Sequence, residues 1–157
     1  MYYDDRRRKH EVFHQTTLMQ KRIISESNFT YRIILSVVNR YLKGKNKILD
    51  IGCGAGTLCF YLSNKGNNVF GIDISQNGIN ACRQSAEFLG LKNVNFKRMT
   101  FPKDIPTGKY DYIICSEVLE HLEDDDLALN KIYSLLKHNG IAIFSTPSKN
   151  APLYRLG

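Results

Sequence analysis

The sequence of 157 residues contains no tryptophan, only four prolines and no long hydrophobic run. Its apolar segments are far shorter than the stretch of about 20 residues that a membrane-spanning helix needs. Residues 1–9 are acidic and then basic, and they lack the apolar region of a secretory signal. The sequence therefore predicts a cytoplasmic protein without a membrane span.

The cysteines also lack a metal-binding pattern. None of the four is part of a C-x-x-C pair, which makes a structural zinc site an unfavourable interpretation. Three lie inside apolar segments and are expected to behave as small hydrophobic side chains. The fourth lies in a glycine-rich segment, where it is expected to line a pocket without reacting. In chain order they are Cys53, Cys59, Cys82 and Cys115.

The excess of positive charge is confined to the N-terminal third. Residues 1–47 contain eleven Lys and Arg against four Asp and Glu, whereas residues 48–157 contain eleven of each. The basic run 6–9 could contact phosphate groups or an anionic membrane surface, but a solvated arm is the preferred interpretation. There is no strong signal for nucleic-acid binding. We expect a flexible basic arm at 1–15 and a single domain at 16–157.

Apolar spacing predicts how this domain is organised. N-terminal helices are expected within residues 16–43, followed by a core at 47–146 and a tail at 147–157. Continuous apolar strands that alternate with helices indicate a mostly parallel sheet covered on both faces, a Rossmann-like doubly wound α/β fold. The core is predicted to contain strands near 47–51, 68–72, 93–97, 110–115 and 140–145, and helices near 57–65, 75–89 and 123–137.

The most informative segment is residues 48–57, in which an apolar strand leads into Gly52, Gly54 and Gly56. Glycine at every second position predicts a tight turn between the strand and a helix. The next predicted strand ends in Asp73, and an ionised carboxylate can accept both hydroxyl protons of a ribose. Strand, turn, helix, strand and acid together predict a pocket for a nucleoside-bearing cofactor at the carboxyl ends of the strands.

Two classes of cofactor fit such a pocket. Dinucleotide-binding enzymes use G-x-G-x-x-G, whereas this turn has G-x-G-x-G. Asp50 lies two residues before the first glycine, where it would repel a pyrophosphate but attract a cationic amino group. A nicotinamide-dependent dehydrogenase is therefore the weaker alternative.

Three segments, 49–56, 110–122 and 135–146, resemble the class I S-adenosylmethionine-dependent methyltransferases. Within that superfamily the chain is most similar to the ubiquinone-biosynthesis O-methyltransferase group, over about residues 28–148. The resemblance implies a sheet in the order 3-2-1-4-5 and indicates that the last two strands of the usual fold are missing. The fifth strand would then be an open edge, covered by a missing C-terminal segment or by a second copy in a homodimer.

The resemblance also implies how each part of S-adenosylmethionine would be held. The methionyl part would lie on the glycine turn, with an arginine at its carboxylate and an acid at the ribose. Many relatives place an Asp after the third strand where this chain has Thr100 and Phe101, and a threonine can still form a hydrogen bond there. The implied cofactor-binding residues are Arg32, Asp50, Gly52, Cys53, Gly54, Gly56, Asp73, Ile74, Thr100, Phe101 and Ser116.

Glu117, Glu120 and His121 follow the fourth predicted strand at positions i, i+3 and i+4. On a helix these side chains would share one face and could hold Mg²⁺, which would lower the pKa of a hydroxyl ligand. The pattern resembles that of metal-assisted O-methyltransferases, and Glu120 and His121 are the candidate catalytic residues. A purely structural role for all three is the alternative, because three ligands on one helix make an incomplete metal site.

The sequence thus predicts an S-adenosylmethionine-dependent methyltransferase that acts on a hydroxyl group of a small molecule. The alternative is a non-catalytic S-adenosylmethionine-binding or interaction module truncated from a larger enzyme. The identity of the acceptor cannot be predicted, because the residues that usually select it would follow the fifth strand.

Overall fold

The computed structural model describes residues 31–147 of the chain. The predicted basic arm, the part of the predicted N-terminal helices before residue 31 and the tail beyond residue 147 lie outside the described residues. No helix in the described range has the length and hydropathy of a membrane-crossing segment. The helices are α1 (Arg32–Tyr41), α2 (Thr57–Asn64), α3 (Gln76–Phe88) and α4 (Asp125–Leu135). The strands are β1 (Lys47–Ile51), β2 (Asn68–Asp73), β3 (Val94–Arg98), β4 (Tyr110–Ser116) and β5 (Leu136–Ser145).

The five strands form one parallel sheet in the order β3-β2-β1-β4-β5, which confirms the predicted fold and strand order. β1 is central, with Lys47 opposite Asn68 of β2 and Ile48 opposite Tyr112 of β4. A helix follows each of β1, β2 and β4, whereas β3 and β4 are joined by residues 99–109 without a helix. All of the strands end at the same edge of the sheet, which brings the predicted site residues together.

The core consists of two apolar clusters, one on each face of the sheet. The first packs α1, α2 and α3 against Ile48, and the second packs α4 against Leu49. Both residues have 0% of their surface exposed. Because successive side chains of a strand point to opposite faces, β1 is buried on both sides. This explains why Ile48 and Leu49 are adjacent apolar residues and do not alternate with exposed polar ones.

The start of β5 differs from the prediction. The strand begins at Leu136, where residue 140 was expected, because Leu136 already pairs with Tyr110 at the end of α4. The pairing register then shifts before Ile141. Among the described residues β5 pairs only with β4, so its outer edge has no neighbouring strand. Ile141 and Phe144 are 37% and 39% exposed, as expected for an apolar edge strand.

Candidate functional site

The glycine turn connects β1 to α2 in the conformation that the sequence predicts. Gly52, Gly54 and Gly56 all have positive φ angles, of 73°, 52° and 77°. L-residues with a Cβ rarely adopt this left-handed region. Space is also limiting, because a Cβ at Gly52 would overlap Cγ2 of Val118, and one at Gly56 would lie 2.9 Å from Sγ of Cys82. Backbone conformation and close packing therefore both require glycine.

Backbone hydrogen bonds fasten this turn to the end of β2. The N–H groups of Gly52 and Cys53 donate to the carbonyl of Ile72 at 2.8 and 3.0 Å. The next N–H along the chain, that of Gly54, donates to Oδ2 of Asp73 at 2.8 Å. The turn and the acid that were selected from separate segments of the sequence are thus in direct contact.

Hydrogen bonds of Asp73 join the glycine turn, the start of α3 and the end of β3. Its Oδ1 accepts a hydrogen bond from the N–H of Ser75 at 2.9 Å, and the Ser75 hydroxyl caps α3 by accepting from Gly78 N–H at 3.0 Å. The carbonyl of Asp73 accepts from Met99 N–H at 2.9 Å, which joins it to the end of β3. Asp73 is only 8% exposed, and Ile74 beside it is half-buried. The carboxylate is therefore held rigidly by backbone donors.

Asp50 lies deeper than Asp73, inside the fold. It is 3% exposed, and its Oδ2 accepts a hydrogen bond from Sγ of Cys59 at 3.1 Å. Burial, with a smaller contribution from the nearby charge of Asp73, raises the pKa of Asp50 to about 7, although the Cys59 thiol opposes this shift. Its charge at the turn therefore changes near neutral pH, a property that its position in the sequence does not indicate.

The four cysteines are all buried free thiols. Cys82 donates from Sγ to the carbonyl of Gly54 at 3.3 Å, so that a thiol on α3 supports the glycine turn. Burial raises the pKa values of Cys59 and Cys115, that of Cys115 to about 12. The thiol of Cys53 also has a raised pKa, for which its contact with Cys59 is the largest cause. The turn is supported by Cys59 and Cys82, which the sequence analysis treated only as hydrophobic side chains.

Thr100 and Phe101 follow β3 but differ in environment. Thr100 is half-buried, and its backbone N–H and carbonyl exchange hydrogen bonds with Asp104 at 3.1 and 2.8 Å. Phe101 is 9% exposed and belongs to the apolar cluster on the α4 face. Thr100 therefore remains open to a ligand at this edge, while Phe101 supports the connection from the core side.

A hydroxyl pair links the ends of β4 and β5. The hydroxyl oxygens of Ser116 and Ser145 are 2.7 Å apart, and Ser145 donates to Oε1 of Glu117 at 3.1 Å. The N–H of Glu117 donates to the carbonyl of Ser145 at 2.9 Å, and Glu117 has a φ of 57°. Ser145 was not identified from the sequence, because its partners lie 28 and 29 residues away and no short motif connects them.

The helix expected to carry Glu117, Glu120 and His121 is not formed. Glu117 is in the left-handed conformation, and only Leu119–His121 form a single turn of 3₁₀ helix. The three side chains are exposed, and Glu117 turns towards β5. Across residues 31–147 no group of three or more His, Cys, Asp or Glu side chains is arranged to hold a metal ion. The premise of a shared helical face was wrong, so the Mg²⁺ hypothesis loses its support.

Arg32 is an exposed residue at the start of α1. The end of this helix lies against β4, where the hydroxyl of Tyr112 donates to the carbonyl of Tyr41 at 2.9 Å. The chain then leads through residues 42–46 into the start of β1.

The parallel sheet, the glycine turn after β1 and the acid at the end of β2 define a Rossmann-like α/β domain. Residues 42–155 match the sequence model of a family described as "Methyltransferase domain". The chain belongs to this methyltransferase family, which confirms the resemblance found in the sequence.

Individual relatives agree with this assignment. The chain is 36% identical over 107 residues to the ubiquinone biosynthesis O-methyltransferase of Bradyrhizobium diazoefficiens, a match that covers 68% of this chain and 42% of that protein. The structure of PKMT2 from Rickettsia typhi in complex with AdoHcy is 32% identical with a TM-score of 0.56, over 63% of this chain and 20% of that one.

Coclaurine N-methyltransferase bound to N-methylheliamine and SAH shares the fold, with a TM-score of 0.66 at 21% identity, over 78% of this chain and 38% of that chain. The match to curated relatives is partial. This chain spans 39% to 49% of the length of the ubiquinone biosynthesis O-methyltransferases that it matches.

Proposed function

We propose that this chain binds S-adenosylmethionine at the glycine turn and transfers the methyl group to a hydroxyl oxygen of a small molecule. Membership of the methyltransferase family supports the reaction class. The name shared by the curated relatives, ubiquinone biosynthesis O-methyltransferase, supports an oxygen acceptor. The AdoHcy bound to the Rickettsia PKMT2 supports the choice of cofactor.

The observation that carries the proposal is the 2.8 Å hydrogen bond between Gly54 N–H and the carboxylate of Asp73. An ionised carboxylate has about four lone-pair positions. Backbone donors of Gly54 and Ser75 use two of them, which leaves two for the hydroxyl groups of a ribose. The turn and the acid therefore fit a nucleoside whose ribose lies beside the glycines.

The remaining assignments rest on the resemblance in sequence and on the strand that each residue follows or ends. We propose that the amino group of the cofactor binds near the carboxylate of Asp50. The carboxylate of the cofactor would pair with Arg32, because a planar guanidinium can donate two parallel hydrogen bonds to a carboxylate. Ile74 and Thr100 lie after β2 and β3, where the adenine would pack. Ser116, at the end of β4, would lie along the methionyl chain. Phe101 would support this pocket through the core.

Bound S-adenosylmethionine supplies a methyl group that its sulfonium already activates. The protein then has to align the acceptor and take up the proton of its hydroxyl group. We propose that Glu120 or His121 accepts this proton. Both side chains are exposed in the segment that follows β4. No metal ion forms part of this proposal, because its three expected ligands do not share a face.

Calorimetry with S-adenosylhomocysteine tests the binding step. We expect saturable binding by the full chain and at least tenfold weaker binding by Asp73→Asn, the loss of about one charge-assisted hydrogen bond. Asp126→Asn, an exposed residue on α4, is the matched control and should bind normally. Binding of NAD in place of S-adenosylhomocysteine would refute the assignment.

Transfer of a labelled methyl group to a panel of phenols and catechols tests the reaction. We expect product with the wild type and about tenfold less with Asp73→Asn when the cofactor concentration is below the wild-type Kd. Binding without turnover on every acceptor would instead support the alternative, a non-catalytic cofactor-binding module.

A further inference from the structure

A solvent-open groove of about 620 Å³ lies away from the glycine turn. Its floor is formed by the first halves of β2 and β3, where Phe70 pairs with Asn95. Asn95 and Lys97 are two residues apart on an edge strand, so both side chains point to the same face. The side chains of Asn68, Asn95 and Lys97 are exposed there, and the connection from β3 to β4 carries no helix.

The charge of this groove is of one sign. Lys47, Arg83 and Lys97 contribute to its lining, and none of the described residues that line it is an Asp or a Glu. Asp111 accepts a hydrogen bond from the backbone N–H of Lys47, but its carboxylate is paired with Nζ of Lys137 at 2.8 Å. The groove therefore has a net positive potential that a neighbouring acid does not cancel.

Hydrogen-bond donors converge on the same space. Arg83 uses two of its N–H groups on the carbonyl of Phe96, at 3.2 and 2.8 Å, which fixes the guanidinium at the edge of β3. A guanidinium has five such donors, so others remain available for an anion. Nζ of Lys47 lies 4.9 Å above the centre of the Tyr110 ring. The Arg83 guanidinium therefore lies at β3, and the Lys47 ammonium lies beside Tyr110.

Tyr110 supplies a further polar group. The residue is 2% exposed, and its hydroxyl makes only a long hydrogen bond of 3.4 Å to the carbonyl of Thr107. Ordinary O–H···O bonds are about 2.7–2.8 Å long, so this donor is poorly satisfied within the fold. Burial raises the pKa of Tyr110, so the hydroxyl keeps its proton and can donate it to an anionic oxygen.

We propose that this groove binds a small organic phosphate, at a site separate from the glycine turn. The phosphate would be held by the lysines, the guanidinium and the tyrosine hydroxyl, and the organic part would pack on Phe70. The volume of the groove lies within the range of about 300–1,000 Å³ that is usual for small-molecule sites. The two asparagines on its floor, Asn68 and Asn95, offer both donors and acceptors to the hydroxyl groups of such a ligand.

Titration of the ¹⁵N-labelled full chain with ribose 5-phosphate tests the proposal. Saturable shifts of backbone amide signals are expected at residues 68–70 and 95–97, and not at the glycine turn. Lys97→Gln should weaken this binding about tenfold, the effect of losing one charge-assisted hydrogen bond. Because Lys97 is exposed, the substitution should leave the fold and the binding of S-adenosylhomocysteine unchanged. The two sites are thereby tested independently.

Lys131→Gln, on α4 and outside the groove, is the control of equal charge. Equal weakening in both variants would show a general attraction of phosphate to a basic surface and overturn the proposal. Shifts that never saturate would overturn it as well. Sedimentation with phosphatidylglycerol vesicles, without any response to ribose 5-phosphate, would assign the basic groove to a membrane and refute a small ligand.

Discussion

The two halves of the candidate site are built in different ways. At the ends of β1 and β2, Asp50 and Asp73 are 3% and 8% exposed, and backbone or thiol donors fix their carboxylates. After β4, the side chains of Glu117, Glu120 and His121 are exposed, and a short turn replaces the expected helix. The first half, which we call the cofactor half, is part of the core. The second, which we call the acceptor half, lies on the surface.

This difference separates two requirements of the proposed reaction. The cofactor half can be preorganised, because the proposed cofactor is the same in every turnover. The acceptor half consists of exposed side chains. We therefore expect substitutions in the turn to reduce stability and cofactor binding together, and substitutions after β4 to reduce turnover alone.

Gly52→Ala should produce the largest change. The left-handed φ of 73° and the overlap of the new Cβ with Val118 should together lower the free energy of unfolding by about 3 kcal/mol. The overlap should also displace the turn from Asp73, so that S-adenosylhomocysteine binds more weakly. Urea unfolding followed by circular dichroism and calorimetry measure the two effects.

Gly44→Ala is the matched control. Its φ is 74°, but no atom lies within 4 Å of the added Cβ, so only the backbone strain of about 1 kcal/mol should remain. The double variant Gly52→Ala with Val118→Ala removes the colliding methyl group and should recover cofactor binding. Equal losses for Gly44→Ala and Gly52→Ala would contradict a role for close packing at the turn.

Asp50 should make stability depend on pH. Its pKa of about 7 lies above the unfolded value of 3.8, so the folded state binds more protons between these values. The stabilisation is complete below the unfolded pKa and is lost as the pH rises through the folded one. From about pH 5.5 to about pH 7.5 the free energy of unfolding should fall by about 2 kcal/mol.

Asp50→Asn keeps the shape of the side chain and removes its titration. The groups that face Asp50 are Cys59, through its hydrogen bond, and the charge of Asp73. In the variant, the unfolding curves measured at the two pH values should nearly coincide. A wild-type stability that stays constant over this interval, as in the variant, would show that the carboxylate is already charged at the lower pH.

Much of the cofactor half could be predicted from the sequence, because its signals are local. Glycine spacing and the acid at the end of β2 predicted a turn and a carboxylate, and Gly54 and Asp73 are in contact. Parallel strands guarantee that such residues meet, because they end at one edge of the sheet. The burial of Asp50 and the thiols beneath the turn could not be predicted, because they depend on packing between α2, α3 and β1.

The acceptor half could not be predicted for a related reason. The E-x-x-E-H spacing suggested a helix, but the Glu117 N–H pairs with the carbonyl of Ser145 on the neighbouring strand. This long-range bond holds Glu117 in a left-handed conformation, which separates its side chain from those of Glu120 and His121. In the same way, Leu136 joins the sheet through Tyr110, so β5 begins earlier than the local sequence indicates.

Ser145→Ala should have a smaller effect, confined to turnover. Ser145 lies at the end of β5. The substitution removes its hydrogen bond to Glu117 and its contact with the hydroxyl of Ser116. Loss of one hydrogen bond of about 1 kcal/mol should lower kcat about fivefold, while S-adenosylhomocysteine binds as before. Steady-state kinetics and calorimetry separate the two quantities.

Ser134→Ala is the control, because its hydroxyl also makes one local hydrogen bond, which it donates to the carbonyl of Lys131 on α4. This variant should keep full turnover. If Ser145→Ala lowers cofactor affinity and leaves kcat unchanged, the end of β5 belongs to the cofactor half and the comparison between the halves has to be redrawn.

The smallest change is expected in thiol labelling. The four cysteines should not react with a labelling reagent while the protein is folded. The nucleophile in thiol labelling is the thiolate, and burial raises the pKa values of Cys59 and Cys115. An aromatic disulfide reagent should therefore label the cysteines only as the chain unfolds, with rates that follow the urea dependence of unfolding. Absorbance of the released thiolate measures the reaction.

Cys53 makes this experiment a test of how rigid the turn is. It is 8% exposed, whereas the other thiols lie on α2, α3 and β4. If the turn is as firmly held as its hydrogen bonds to Ile72 indicate, Cys53 should react no faster than Cys59, and S-adenosylhomocysteine should slow both equally. Selective labelling of Cys53, identified by peptide mass spectrometry, would instead mean that the turn opens locally while the sheet stays folded. The cofactor half would then be adaptable as well, and the contrast with the segment after β4 would be one of burial alone.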